Sequence, residues 1–185
     1  MAALRNKTER YNMVAVVLHW LIAALLLWQI WLGFNRSEGN AFDWHKTIGI
    51  LILVLSVARL VWRLVNPPPS LSGEVAGWER FAAGLNHALF YVVLIGLPLT
   101  GWAAVSTGRA AREGATSTSM VGGLDLPLLP LGQGLHDPAE SAHVLMVWMT
   151  FVLLAIHVAA ALKHQFVDRT AAANRMPPFG VRNPR

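Results

Sequence analysis

Seven histidines carry most of the chemistry available to this 185-residue chain: His19, His45, His87, His136, His143, His157 and His164. Cysteine is absent, which excludes disulfides, thiolate-ligated iron–sulfur clusters and zinc sites, cysteine nucleophiles and covalently attached c-type haem. Any metal must rest on His, Met or carboxylate. His143 and His157 are fourteen residues apart; on an α-helix that is about 40° around the axis and about 21 Å along it. One helix face therefore offers two imidazoles at two depths. A pair of imidazoles leaves zinc short of its usual four ligands, whereas a haem brings four equatorial nitrogens and needs only two axial ones. With both axial positions filled, the iron cannot readily bind a substrate, so such a group carries electrons.

Groups of this kind need rigid walls, and composition says which kind the chain builds. Hydrophobic residues make up 55% of it and charged residues only 14%, against roughly a quarter charged in soluble domains. This argues against a solvated globule and against disorder. Residues 14–34 hold no charge over 21 positions, enough to cross a hydrocarbon core that takes about 20 residues. Further spans are expected at about 45–65, 81–105 and 142–166. Arg59 and Arg63 sit near the far end of the second, where long cations reach the headgroups; Pro98 is expected to kink the third, and Lys163 lies in the last turn of the fourth. The expected fold is all-α, a bundle of four transmembrane helices in a single domain over residues 1–185. The first apolar run exceeds the ~7–15 residues of a signal-peptide core and is expected to stay in the membrane.

A pI near 10.4 and net charge of +5 raise the question of nucleic acid, and the distribution of charge answers it. Eleven Lys and Arg fall on the side of the termini and four on the other, giving net charges of +7 and −2. The positive-inside rule then places both termini in the cytoplasm, so the basic pI is a topology signal and no nucleic-acid partner is expected. Residues 106–141 form one long outer loop, and such loops usually have a function. Leu124–Leu131 is expected to lie along the outer interface as a lid.

Six of the seven histidines fall on or at the ends of these spans, where an ionisable residue is costly and is by default functional. By depth, His45 faces His143 near the outer leaflet, while His19 or His87 can face His157 near the inner one. Two bis-imidazole sites thus stack across the bundle, where inward side chains of facing helices hold cofactors. Gly49, Gly84, Gly96 and Gly101 can leave room for a porphyrin or permit close helix packing. A His-lined proton path is the alternative, and a mid-span Asp or Glu would have favoured it; none occurs.

Several stretches resemble the bacterial cytochrome b561 family: Arg10-Tyr11 with Leu18-His19-Trp20, His45-Lys46-Thr47-Ile48-Gly49-Ile50, Arg59-Leu60-Val61-Trp62-Arg63 through Pro67-Pro68-Pro69, Asn86-His87, and Lys163-His164-Gln165-Phe166-Val167-Asp168 with Arg175-Met176. The resemblance runs over almost the whole chain. It implies an inner-membrane protein with two haem b groups, His19 pairing with His157 and His45 with His143. It also implies electron transfer between the outer face and the membrane quinone pool. One branch oxidises superoxide and passes the electron to ubiquinone; the alternative is quinone-linked transfer from another periplasmic redox partner. His87, His164, Arg59, Arg63 and Lys163 are the candidates for a quinone or a haem propionate, with Arg59 and Arg63 on one helix face at i, i+4. Lys46 and Arg36, with Arg109 and Arg112, form a local basic patch that would steer an anion towards the outer site. No catalytic residue is assigned.

Overall fold

Asn12 opens the first helix: its side-chain Oδ1 accepts the Ala15 N–H at 2.9 Å, satisfying a donor that a helix start leaves bare. The computed structural model describes residues 11–67, 76–169 and 176. Among them α1 spans Met13–Phe34, α2 Ala41–Val65 and α3 Gly77–Ser106, which runs on through Pro98. A single-turn α4, Arg109–Arg112, precedes a hairpin of β1, Ser117–Ser119, and β2, Asp125–Pro127. Gly122 and Gly123, with φ of +86° and +73°, turn the chain between the strands, a conformation that glycine alone adopts readily. Helix α5 covers His136–Leu162 and continues as a π-helical turn over Lys163–Asp168.

Four of these helices are long and apolar enough to cross a membrane, and the molecule is a multi-pass membrane protein. Three of them start earlier than the apolar spans do, at Ala41, Gly77 and His136, because polar first turns such as Asp43 and Asp137 extend the helix beyond the hydrocarbon core. Leu124–Leu131 is not a free interfacial lid: residues 125–127 pair with 117–119 in the hairpin, and Leu129 N–H donates to Ser106 Oγ at 2.9 Å. Backbone pairing and side-chain hydrogen bonds draw this apolar run back onto the bundle. The Arg5, Lys7, Arg10, Arg175, Arg182 and Arg185 charges and the Pro68–Ser70 turn lie outside the described residues.

The helices pack in chain order: α1 on α2, α2 on α3, and α3 most extensively on α5. Neither α1 nor α2 packs extensively on α5. The tight core is correspondingly small, built by Ile22, Leu26, Leu32, Ala41, Ile48, Ile52 and Leu94 between α1, α2 and α3. Outward-facing Leu27, Val54, Leu145 and Trp148 are exposed, as suits lipid contact, since lipid tails are as apolar as these side chains and helix association rests on packing and hydrogen bonds. At the end where α1 begins, here the terminal end, Trp62 Nε1–H of α2 donates to Asn12 Oδ1 at 3.1 Å. The opposite end carries the hairpin.

Candidate functional site

Two imidazole pairs face each other across the seam between α5 and the first two helices. At the hairpin end the rings of His45 on α2 and His143 on α5 lie 6.3 Å apart, their planes at 72°. Towards the terminal end His19 on α1 and His157 on α5 lie 6.0 Å apart at 67°. Metal–imidazole bonds of about 2.0–2.1 Å on either side of an ion, plus the half-width of each ring, put ring centres about 6 Å apart. Both pairs have that spacing. They also bridge helices that do not pack closely on one another, so a flat macrocycle can lie between them.

The His143 ring is the more firmly set. Its Nδ1 lies 2.9 Å from the Leu97 carbonyl oxygen; a carbonyl only accepts, so Nδ1 carries the proton and donates it. The lone pair is left on Nε2, the arrangement in which a ligating histidine is held by its outer-shell partner. The same edge of the ring rests on Gly101, where an added Cβ would stand 3.1 Å from Cε1 and 3.2 Å from Nδ1. His45 is seated alike: an added Cβ at Gly33 of α1 would come within 3.2 Å of its Cε1. Gln29 Nε2–H donates to the His45 carbonyl at 3.0 Å. Of the glycines expected to leave room, Gly101 receives an imidazole, Gly96 and Gly49 receive Met146 and Gln29, and Gly84 has open space beside it.

His19 is tied differently. Arg59 Nη1–H donates to its Nδ1 at 2.9 Å, so the lone pair is on Nδ1, and Nε2 becomes free for a metal only when the guanidinium turns away. It has somewhere to turn. Arg59 and Arg63 line a cavity of about 360 Å³ at the terminal end with Tyr11, Asn12, Trp62, Asn66 and Tyr91. Two cations, two phenols and an indole suit a carboxylate or a flat, polar-edged ring. His87 lies outside that cavity and stands against His157, ring centres 5.8 Å apart, as close as His19 does.

The remaining candidates are scattered. Lys163 bonds Glu79 at 2.7 Å and Asp168 at 2.6 Å, and His164 meets Asp168 at 3.1 Å, a cluster joining the end of α5 to the start of α3. His136 donates from Nδ1 to the Ala104 carbonyl at 3.2 Å and fastens the start of α5. Lys46 pairs with Asp43 at 2.9 Å and Arg109 with Glu113 at 2.7 Å. Arg36 and Arg112 have no ion pair among the described residues and are exposed. Sequence reasoning missed Leu97, which acts through its carbonyl, and Gly33, whose only signal is the absence of a side chain. Tyr11, which entered only as part of a family motif, and Tyr91 are the two tyrosines of the chain, and neither was expected at a site.

The sequence profile of prokaryotic cytochrome b561 matches residues 10–178. The chain belongs to the prokaryotic cytochrome b561 family. This cytochrome b561 is similar to cytochrome b561 homolog 2 of Escherichia coli K12, 31% identical over 180 residues that cover 92% of this chain and 93% of the relative. The probable superoxide oxidase CybB of Yersinia pestis is 25% identical over 181 residues, covering 92% and 97%. Cytochrome b562 of Cereibacter sphaeroides is 26% identical over 180, covering 90% and 94%. The cytochrome b561 family consists of membrane electron-transfer proteins and implies a b-type haem, which the paired imidazoles, their spacing and the gap between their helices fit.

Proposed function

We propose that this cytochrome b561 holds two b-type haems, one between His19 and His157 and one between His45 and His143, and moves single electrons from periplasmic superoxide to ubiquinone in the bacterial inner membrane, both termini cytoplasmic. The observation that carries this reading is the pair of facing imidazole sets, 6.0 and 6.3 Å apart, stacked along α5. Each haem supplies, when bound, a one-electron couple buried in the bilayer. The protein's residues do the rest. Leu97 and Gly101 hold His143 with its Nδ1 engaged and the Nε2 lone pair left free. Arg59, released from His19, joins Arg63 in presenting positive charge to the terminal-end cavity, where a propionate or the carbonyl edge of a quinone finds donors. In the net reaction two superoxide anions each lose one electron to become dioxygen, and one ubiquinone gains both electrons and two protons to become ubiquinol.

Superoxide as donor is supported by the similarity to the probable superoxide oxidase of Yersinia pestis and by two cations at the hairpin end, Arg36 and Arg112, which are exposed and have no ion pair among the described residues. Both stand at the end opposite the Arg59 cavity. An anion approaching that end is drawn by unpaired positive charge. Reversing both, Arg36→Glu with Arg112→Glu, is expected to slow superoxide-driven haem reduction several-fold at low salt, the difference vanishing near 1 M salt, where the screening length is about 3 Å. Stopped-flow reduction at several ionic strengths checks this, and insensitivity to both charge and salt would remove the steering role.

The reading as a whole is tested on the detergent-solubilised protein by a reduced-minus-oxidised spectrum with a pyridine haemochrome assay. Two low-spin haems per chain, reduced by superoxide and reoxidised by ubiquinone, are expected. Haems that superoxide leaves oxidised would give the role to another periplasmic donor. A folded protein without haem would refute the electron-carrier reading.

A further inference from the structure

Lys46 directly follows His45, which made it the natural steering charge, yet its surroundings give it other work. Its side chain is only 9% exposed and is paired with Asp43. Its ammonium also donates to Thr118 Oγ1 on β1 at 2.8 Å. Two further bonds join the same turn of α2 to the hairpin: Ser119 Oγ–H donates to Asp43 Oδ1 at 3.2 Å, and Val121 N–H donates to Thr47 Oγ1 at 3.0 Å. Asp43, Lys46 and Thr47 stand at i, i+3 and i+4, one face of the helix, and all three hold the hairpin.

The other half of the hairpin is fastened to α3. Trp102 Nε1–H donates to the Pro127 carbonyl at 2.9 Å, and Ser106 Oγ accepts the Leu129 N–H. With the two strands bonded to each other, the hairpin is a clip between the start of α2 and the end of α3. Its anchors are sequence neighbours of the hairpin-end site. Lys46 follows His45, and Trp102 follows Gly101, on which the ring of His143 rests.

We infer that the hairpin Ser117–Pro127 is a brace for the hairpin-end imidazole pair, and that Lys46 is a positioning residue that latches it rather than a charge that steers substrate. The inference rests on the two-haem reading. It follows from where rigidity is needed: α2 and α5 do not pack extensively on each other, so the separation of His45 from His143 must be set through α3. The Leu97 carbonyl and Gly101 fix His143 to α3, and the clip fixes His45's helix to the same α3. Outer-shell contacts that orient a ligand typically contribute about 10–100-fold to affinity, and this brace acts on the ligand's helix as they act on its ring.

The discriminating variant leaves the cation in place and cuts the latch from the other side: Thr118→Val with Ser119→Ala. Haem per chain is measured after dilution into detergent, with redox titration of each haem and the ferric low-spin electron paramagnetic resonance signal, which follows the angle between the two imidazole planes. The expected result is about 10-fold faster loss of the hairpin-end haem, a broadened signal from that haem, and an unchanged terminal-end haem, all independent of salt. Lys46→Met should do the same and Lys46→Arg should largely restore it. Unchanged retention, potential and signal at the hairpin-end haem would overturn the brace, as would equal loss of both haems. A wild-type protein with fewer than two haems would refute the reading beneath it instead. A readout needing no haem is amide hydrogen exchange, which the double variant should accelerate at Val121, and protection there equal to wild type also overturns the brace.

Discussion

Replacing His157 with alanine is expected to halve the haem per chain, removing the terminal-end haem and sparing the one at the hairpin end. His157 is the residue on which the terminal-end site converges, its ring standing 6.0 Å from His19, 5.8 Å from His87 and 5.5 Å from Phe90. Ring distance does not choose between the two partners; the packing of the helices favours His19. Helix α3, which carries His87, makes the most extensive packing with α5, whereas α1, which carries His19, does not pack extensively on it. A macrocycle needs a gap between the helices that ligate it, so on the proposed reading His19 is the favoured partner and His87 a neighbour set edge-on to His157. His19→Ala should therefore reproduce the loss and His87→Ala should leave haem content intact. Haemochrome assays of the three variants decide it: loss with His87→Ala and retention with His19→Ala would reverse the assignment. The hairpin-end haem, retained throughout, reports that the bundle is assembled.

The same helices show how far the sequence could be read. Hydropathy located four spans because a bilayer of fixed thickness demands about 20 apolar residues, and α1 ends at Phe34, where its apolar run ends. It misplaced the starts of α2, α3 and α5 because hydropathy reports depth in the membrane, not hydrogen bonding, and Asp43 and Asp137 are helical outside the hydrocarbon. The stacking of His143 and His157 followed from periodicity alone, since a continuous helix fixes angle and rise. The hairpin was beyond reach: strands of three residues, Ser-Thr-Ser and Asp-Leu-Pro, carry no alternation to detect, although Gly122-Gly123 did mark a turn. Lys46 shows the limit from another side. Its charge was plain in the sequence, but whether it is free or paired depends on Asp43 one helical turn away, on its own element, and on Thr118, seventy-two residues along the chain.

The role of Gly101 is legible only from the space it leaves. The His143 ring is pressed between a hydrogen bond and a backbone: Nδ1–H donates to the Leu97 carbonyl at 2.9 Å, and the Cβ of any residue at 101 would stand 3.1 Å from Cε1 and 3.2 Å from Nδ1. An alanine requires the ring to yield a few tenths of an ångström. A valine adds two methyl groups beyond that Cβ, and overpacking of this kind costs about 1–3 kcal/mol. The strain is relieved most readily by swinging the imidazole off Leu97, which gives up both the hydrogen bond and the aim of Nε2. Gly101→Val is thus expected to lose the hairpin-end haem while keeping the other, and Gly101→Ala to keep both with a shifted potential at the hairpin end. Gly84 is the control, since nothing lies within 4 Å of an added Cβ there; Gly84→Ala should change neither haem. Haem content and redox titration of the three variants separate the possibilities. Full retention of both haems, at unchanged potentials, in Gly101→Val would mean that His143 is not held where a ligand must be, and the hairpin-end pair would fall with it.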